Sequence, residues 1–424
     1  MSAHGQRILF WGPQCVSYWN QYFCAPVYER LKPFGWRTSY FFPPVNEYGS
    51  GLNKVWPEYY PHYDPLPDYN TLDDLPFSLY WYKDPAPIAD ALKPKLADQN
   101  PDIIITRTNG HDYLQLIFPG VPIVTMGEAM GSPWFEQHCF SLSPAENFHG
   151  LPHLSKHPEQ AQNMPMPGET VSNTFDHLTR AQTVPSLDME MARHYFAELR
   201  KQYDRIYLFP ADYAGPECLY LMAAYEGERF TGNADVIHHF KKNTDERTAL
   251  LVTQHPLAYR QSGTKLSDIF HPEGRVIMAE NTRLSPKMFR TSLLAHLSDG
   301  MIVRNSKSFW YAVAGGKPLL NLGSQALSAV GAHTNIDAFL GAEGPSISRE
   351  EAIKIFYWQT TRQRVALREN EKISKMLHRM IDVATNGTDL ETVPDLFEWG
   401  SDADYQASFE HCTEAYNPDF YFPK

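Results

Sequence analysis

The chain has 424 residues, of which 43% are hydrophobic and 20% charged, and its formal net charge is −12. A chain of this length is longer than one that usually folds around a single hydrophobic core, so we predict two globular domains. The balance of apolar and charged residues argues against a disordered chain. The negative charge argues against general nucleic-acid binding, which needs a cationic surface, and no apolar run approaches the roughly 20 residues that cross a bilayer.

Short apolar runs alternate with amphipathic stretches, which is typical of βαβ units around a parallel sheet. In the first part of the chain, such runs predict strands at residues 7–12, 38–43, 102–107 and 122–127. Residues 45–82 are rich in Pro, Tyr and Asp and show no sustained periodicity. We expect this segment to be a long insertion or a lid over a cleft.

Residues 159–185 are polar, contain several prolines and predict the connection between two domains. A helix at 187–203 then leads into a second series of elements, with strands at 205–211, 249–255, 275–279, 300–304 and 318–323 and helices at 234–242, 286–297 and 308–314. We therefore predict an α/β protein with two Rossmann-like domains, at residues 1–185 and 186–385, facing each other across a cleft, with ligands at the carboxyl ends of the strands. Residues 386–424 are expected to pack back on the first domain.

A long helix is predicted at residues 349–385, with two distinct faces. Its apolar stripe at helical spacing consists of Ile373, Met376, Leu377, Met380 and Ile381. Its basic stripe consists of Arg364, Arg368, Lys372, Lys375 and Arg379. A basic face on an acidic protein can dock on an anionic membrane surface or an anionic acceptor. The alternative, which the pattern favours, is a solvated face supported by neighbouring glutamates.

The most informative segment is residues 301–323, MIVRNSKSFWYAVAGGKPLLNLG. An apolar strand ends at Arg304 and is followed by Asn305, Ser306, Lys307 and Ser308 at the start of a helix. Hydroxyl groups and free backbone N–H groups at a helix N-terminus form a site for a phosphate. The alternative is an ordinary serine N-cap.

A second element is the segment LLVTQHP at residues 250–256. Here a predicted strand ends in His255 and Pro256. A histidine at this place can donate a hydrogen bond to a phosphate oxygen, and the proline restricts the turn that orients it.

Together, the pattern strand–His-Pro, then strand–Asn-Ser-x-Ser–helix–Gly-Lys-Pro–strand, resembles the C-terminal half of bacterial capsular-polysaccharide glycosyltransferases of the GT-B type. This group includes Kdo transferases and, more distantly, GT-B sialyltransferases. The resemblance implies that His255, Ser306 and Ser308 contact the phosphate and ribose of a cytidine nucleotide donor, within a motif that includes Pro256 and Asn305. Lys307 or Arg304 would then be the charge partner of the phosphate.

The catalytic candidates are carboxylates. Residues 121–150 resemble the family's strand followed by a Glu-x-Gly-like turn, which makes Glu128 the first candidate for a general base or acid. Asp112 and Asp212, each after a predicted strand, are the others, and for each of the three a structural role is the alternative. Ser141 and Ser143 stand where relatives often place an acid, which puts a covalent retaining mechanism in doubt.

The acceptor-side candidates are Trp11 and Gly12, which end the first predicted strand, and His111, which precedes Asp112. A glycine at a strand end allows close approach of a ligand to the backbone, or simply a tight turn. No group of histidines and acids has metal-ligand spacing, so we expect neither a metal nor another cofactor.

The predicted function is therefore transfer of a sugar from a nucleotide donor, CMP-Kdo or another CMP-sugar, to a saccharide or lipid-linked saccharide. A UDP- or GDP-sugar donor, or a non-catalytic two-lobed saccharide- or nucleotide-binding protein, are the alternatives. Five widely spaced cysteines without a CxxC pair indicate reduced thiols, and the polar residues 1–6 predict no secretory signal. The predicted location is the cytoplasm, peripheral to the inner membrane if the basic stripe binds lipid.

Overall fold

The computed structural model describes residues 5–12, 27, 30–42, 69–71, 84–106, 110–128, 139–145, 151–179, 186–211, 230, 232–254, 274–279, 291–304, 306–323, 326–366 and 369–414. The strands are β1 (Arg7–Trp11), β2 (Arg37–Phe42), β3 (Tyr69–Thr71), β4 (Ile103–Thr106), β5 (Ile123–Glu128), β6 (Cys139–Ser143), β7 (Arg205–Pro210), β8 (Thr248–Thr253), β9 (Val276–Ala279), β10 (Gly300–Val303), β11 (Leu319–Asn321) and β12 (Arg364–Ala366). The helices are α1 (Ala86–Leu92), α2 (His111–Ile117), α3 (Pro152–Lys156), α4 (Glu159–Gln162), α5 (Glu169–Thr179), α6 (Ser186–Leu199), α7 (Asn233–Asn243), α8 (Thr291–Leu297), α9 (Phe309–Ala314), α10 (Ile336–Leu340), α11 (Arg349–Trp358), α12 (Asn370–Thr385) and α13 (Asp402–Glu414). Among these described segments, no helix combines the length and apolar character needed to cross a bilayer.

The first sheet has seven strands in the order β12-β6-β5-β4-β1-β2-β3. The five strands from β5 to β3 are parallel, whereas β6 runs antiparallel to β5 and β12 antiparallel to β6. A core cluster joins β1 and β4 to α1 and α2 on one face of the sheet. The strand order reverses between β1 and β4, and ligands of doubly wound sheets bind at such a reversal, beside the carboxyl ends of the strands.

The second sheet has five parallel strands in the order β11-β10-β7-β8-β9, so its reversal lies between β7 and β10. All six residues of β8 and all four of β10 are buried. Fully buried, mostly apolar strands of this kind fit a parallel sheet that is covered by helices on both faces. The predicted α/β class with two Rossmann-like domains is therefore confirmed.

The two compact units differ in their bounds from the predicted domains. The first consists of Met1–Met130, Phe135–Phe148 and Gln359–Tyr416, and the second of Gly131–Trp134, His149–Trp358 and Asn417–Lys424. Instead of an irregular connection, residues 159–185 contain α4 and α5, and Phe175 of α5 packs on Phe356 at a ring-centroid distance of 5.4 Å. This aromatic packing on α11 holds α5 in the second unit.

The predicted insertion at residues 45–82 contains a strand. β3 pairs in parallel with β2, with Asn70 opposite Phe41, and forms the edge of the first sheet. Its three residues are too few to produce a recognisable alternation of apolar and polar side chains. The rest of the segment lies outside the described residues.

The predicted helix at 349–385 is interrupted in the structure. α11 ends at Trp358, and a π-helical turn (Gln359–Gln363) and strand β12 precede α12. The polar side chains of this turn are buried and bonded: Arg364 Nη2 donates to Gln359 Oε1 at 2.6 Å, and Gln363 Nε2 donates to the Leu142 carbonyl at 3.2 Å. Pairing of β12 with β6 therefore overrides the helical periodicity of the sequence.

The predicted continuous basic stripe is wrong because two of its members are buried. Arg364 lies in β12 and is 0% exposed. Lys372 is 2% exposed, and its Nζ donates to Ser408 Oγ at 2.5 Å and lies 3.7 Å from Glu369 Oε2. Arg368 lies outside the described residues.

The two remaining members of the stripe are paired with acids. Lys375 Nζ lies 3.1 Å from Glu371 Oε1, and Arg379 Nη2 lies 2.7 Å from Asp395 Oδ2. The apolar stripe is confirmed, since all five of its side chains are buried. α12 is therefore a core helix of the first unit with a neutralised outer face.

We expect Lys372→Met to lower the free energy of unfolding by about 3 kcal/mol, because removing one member of a buried charged group leaves the Glu369 carboxylate poorly compensated. Lys375→Met is the matched control, since that lysine is 39% exposed and its ion pair contributes at most about 1 kcal/mol. Urea denaturation of both variants measures the difference. Equal losses in the two variants would contradict this account of Lys372.

Candidate functional site

Three neighbouring strands of the second sheet end at the same level. Pro210 of β7 lies opposite Thr253 of β8, and β10 pairs with β7 with Met301 opposite Leu208. Ala211, Gln254 and Arg304 each follow their strand by one residue, and all three are buried. With strands spaced by about 4.8 Å, the three loops that follow begin within about 10 Å of one another.

These loops contain several of the predicted site residues. Asp212, His255 and Asn305 are the next residues after Ala211, Gln254 and Arg304. These three and Pro256 lie outside the described residues, so their contacts remain predictions. The structure shows that the loops that carry them begin close together, beside the reversal of strand order between β7 and β10.

Arg304 makes buried contacts that hold the carboxyl edge of the second sheet together. Its side chain is 1% exposed, and its Nη1 donates to the Phe230 carbonyl at 3.1 Å, which connects the chain three residues before α7 to the end of β10. Its backbone is in close contact with Gly323, where a Cβ atom would lie 1.8 Å from the Arg304 carbonyl oxygen. The guanidinium predicted as a phosphate partner is thus buried and bonded to backbone, which gives it a supporting role.

Ser306 and Ser308 converge directly before α9. Their Oγ atoms lie 2.5 Å apart, and the Ser308 N–H donates to Ser306 Oγ at 3.3 Å. Ser308 is the N-cap residue of α9, yet its side chain makes no capping hydrogen bond. The Ser308 hydroxyl is therefore buried without capping α9, and the half-buried Lys307 lies between the two serines in the sequence.

At the edge of the first sheet, a row of polar side chains crosses neighbouring strands. Trp11 lies opposite Thr106, Thr106 opposite Thr125, and Thr125 opposite Ser143. Residues directly opposite each other share one face of a sheet. We call Thr106, Thr125 and Ser143 the hydroxyl row, and all three are 0% exposed.

His111 at the start of α2 contacts this row. Its Nε2 lies 3.0 Å from Thr125 Oγ1. Burial lowers the pKa of His111 from its ordinary value of 6.5 to about 4, so the ring is neutral at neutral pH. The strand end thus presents an imidazole held by a threonine hydroxyl.

The other acceptor-side candidates are used within the fold. Trp11 is 0% exposed and its Nε1 donates to the Tyr113 hydroxyl at 2.9 Å, so its predicted contact with an acceptor is wrong. Gly12 is buried and its N–H donates to the Phe41 carbonyl at 2.9 Å. Its backbone continues the sheet and is not presented for close approach of a ligand.

The two described carboxylate candidates differ in position. Asp112 is exposed, and its Oδ1 accepts a hydrogen bond from the Tyr113 N–H at 2.7 Å in the first turn of α2. Glu128 ends β5, opposite Phe140 of β6 and three residues beyond Thr125. At about 3.3 Å per residue its backbone therefore lies about 10 Å beyond the hydroxyl row. The Glu128 side chain lies outside the described residues.

Sequence reasoning missed Thr125 and Gln254. The available signal was a polar residue near the end of an otherwise apolar run, as in IIIT at 103–106, IVT at 123–125 and LLVTQ at 250–254. Within the residues that the structure describes, no cluster of three or more His, Cys, Asp or Glu side chains could hold a metal ion.

Comparison with known proteins identifies similar folds at low sequence identity. A β-Kdo 2,7 transferase, KpsC of Thermosulfurimonas dismutans, is 10% identical with a TM-score of 0.39, covering 86% of this chain and 96% of that one. UDP-GlcNAc 2-epimerase of Methanocaldococcus jannaschii is 11% identical with a TM-score of 0.28, covering 83% and 98%. A UDP-glucosyltransferase from Polygonum tinctorium is 12% identical with a TM-score of 0.28, covering 98% and 99%. No family model matches the chain, and no curated protein matches it either.

We expect the stability of the protein to depend on pH through His111. The unfolded chain binds a proton below pH 6.5 and the folded protein only near pH 4, so the free energy of unfolding falls as the pH drops through this window. The loss from this one group reaches about 3 kcal/mol. His111→Gln should therefore show a shallower decline than wild type between pH 7 and 4.5 in urea denaturation. Parallel curves would contradict a neutral His111 ring in the folded protein.

We expect Gly323→Ala to lower the free energy of unfolding by about 2 kcal/mol, because the added methyl group overlaps the Arg304 carbonyl. Gly344→Ala is the control, since a Cβ atom there meets nothing within 4 Å and alanine should be neutral or stabilising by up to about 1 kcal/mol. Thermal and urea unfolding measure both. A neutral Gly323→Ala would exclude this close backbone contact.

Proposed function

We propose that this protein is a glycosyltransferase of the GT-B type. It moves a sugar from a nucleotide donor, with CMP-Kdo or another CMP-sugar favoured, to a saccharide or lipid-linked saccharide in the synthesis of a bacterial surface polysaccharide. The donor phosphate binds at the carboxyl edge of the second sheet, and the acceptor binds at the carboxyl edge of the first.

The observation that carries the proposal is the pair Ser306 and Ser308 at the end of β10. The two hydroxyls lie 2.5 Å apart beside the reversal of strand order, and that of Ser308 is not used as a helix cap. A phosphate accepts several hydrogen bonds, so the two serines can exchange their mutual bond for bonds to its oxygens. The edge of the sheet at which they lie is the usual place for a nucleotide in this fold.

The choice of a cytidine nucleotide rests on the resemblance of the His-Pro and serine motifs to capsular-polysaccharide glycosyltransferases. His255 follows Gln254 at the end of β8, and only β7 separates that strand from β10. We assign His255, Ser306 and Ser308 to the phosphate and ribose. Lys307 supplies positive charge as the phosphate departs, a form of electrostatic stabilisation. UDP- and GDP-sugars are the alternative donors, since these residues read phosphate and not the base.

Activation of the acceptor hydroxyl is assigned to a group near the carboxyl edge of the first sheet. Among carboxylates, Glu128 is the first candidate because β5 carries it beyond the hydroxyl row. Asp112 is less suited, since its carboxylate binds the backbone of its own helix. Asp212 is the candidate from the second unit.

The cytoplasm is the proposed location. Among the described residues, Cys139 and Cys412 are free and buried. Free thiols persist in reducing compartments. The neutralised face of α12 gives no support to membrane docking through residues 364–379.

The second candidate function is a non-catalytic saccharide- or nucleotide-binding protein. Ser141 and Ser143 favour it, because both stand where relatives often place an acid and both are 0% exposed. Such a protein would bind its ligand without releasing the nucleotide from a sugar donor. Hydrolysis of the donor therefore separates the two functions.

We expect wild-type protein to bind CMP in calorimetric titration and Ser306→Ala/Ser308→Ala to bind it about a hundredfold more weakly, since each of the two lost hydrogen bonds to a charged phosphate contributes about 1.5 kcal/mol. His255→Ala should abolish binding. Ser328→Ala, at an exposed serine of the same unit, is the control and should bind as wild type does.

Titrations with CDP, UDP and GDP then identify the base, and release of CMP from CMP-Kdo tests catalysis. Unchanged CMP affinity in the double serine variant would contradict the site. Binding of saccharides with no affinity for any of the four nucleotides would favour the second candidate function.

A further inference from the structure

We propose that His111 accepts the proton of the acceptor hydroxyl during sugar transfer and that Thr125 is the positioning residue that orients its ring. This inference rests on the proposed glycosyltransferase function. The proposed general base is a histidine side chain, whereas the sequence alone favoured a carboxylate in this role.

The geometry fixes one nitrogen of the ring. His111 Nε2 lies 3.0 Å from Thr125 Oγ1, and Thr125 is held in β5 between Thr106 of β4 and Ser143 of β6. When Nε2–H donates to this hydroxyl, the Nδ1 atom carries the lone pair. Among the described residues Nδ1 has no hydrogen-bond partner, and in this tautomer we assign it as the proton acceptor.

The location favours contact with a ligand. His111 begins α2 at the edge of the first sheet where β4 ends and where the strand order reverses. His111 as a whole residue is partly exposed, whereas Trp11 at the end of β1 is 0% exposed. Of the candidates at this edge, His111 combines a polar side chain, access from solvent and a fixed orientation.

The charge state suits a base. Burial lowers the pKa of His111 to about 4, so the ring carries an available lone pair at neutral pH. A base this weak is sufficient because the acceptor hydroxyl becomes strongly acidic as its oxygen bonds to the anomeric carbon. The neighbouring Asp112 carboxylate accepts the Tyr113 N–H and is not needed as the base.

The transfer balances as follows. A lone pair of the acceptor oxygen forms the bond to the anomeric carbon, and the bond from that carbon to the donor phosphate breaks with its electron pair remaining on the phosphate. The hydroxyl proton moves to His111 Nδ1. The resulting imidazolium, disfavoured by its buried surroundings, then releases the proton to solvent.

The test measures release of CMP from CMP-Kdo, with and without a set of octyl glycosides as acceptors, so that water is the acceptor when no glycoside is used. We expect His111→Ala to lower kcat by about a hundredfold, the usual contribution of a general base. CMP affinity, set by the second unit, should stay within about twofold of wild type.

Thr125 provides the matched pair of variants. Thr125→Val keeps the shape of the side chain but removes the hydroxyl, and we expect about a tenfold loss of kcat from a misoriented ring. Thr125→Ser keeps the hydroxyl and should retain most of the activity. A role in packing alone would give the opposite order, since valine fills the space better than serine does.

Each outcome decides one question. If His111→Ala and Thr125→Val keep the wild-type kcat while Glu128→Gln abolishes it, the inference is wrong and the glycosyltransferase function stands. If His111→Ala lowers kcat and CMP affinity equally, the residue supports the fold and the inference is also wrong. If wild-type protein binds none of CMP, CDP, UDP and GDP and releases no CMP from CMP-Kdo, the proposed function itself fails and this inference falls with it.

Discussion

Strand pairing is the constraint on which both candidate sites depend. Hydrogen bonds between neighbouring strands set their register, and the register sets the level at which each loop begins. In the first unit it brings Thr106, Thr125 and Ser143 side by side, and in the second it places Ala211 beside Gln254. Polar residues far apart in the sequence therefore meet because the register of their strands places them opposite one another.

Buried contacts next to these two sheet edges hold the site residues in place. In the second unit, the Arg304 guanidinium binds the Phe230 carbonyl, and Gly323 lies against the Arg304 backbone. In the first unit, Trp11 donates to the Tyr113 hydroxyl and anchors α2, whose first residue is His111. A site held by such contacts keeps its polar groups oriented before a ligand arrives, which lowers the entropic cost of binding.

The sequence predicted the α/β class and most strands, because long apolar runs bounded by polar residues are a strong local signal. It also predicted the segment that carries the two serines. It did not predict β12 or the interruption after Trp358, since pairing with β6 depends on a strand more than 200 residues away. The burial of Trp11 and Lys372 was not predictable either, because exposure is a property of the assembled fold. Amphipathic spacing on a helix tells which residues share a face, but it does not tell what covers that face.

The first unit is discontinuous in sequence, whereas the second is almost one stretch from His149 to Trp358. During synthesis on a ribosome, the second unit can complete its sheet while β12 and α13 are still untranslated. Until they emerge, β6 is an open sheet edge in the first unit, and open edges invite pairing with other chains. The unit that begins first in the sequence therefore completes its sheet last, and its edge at β6 stays open until β12 is made.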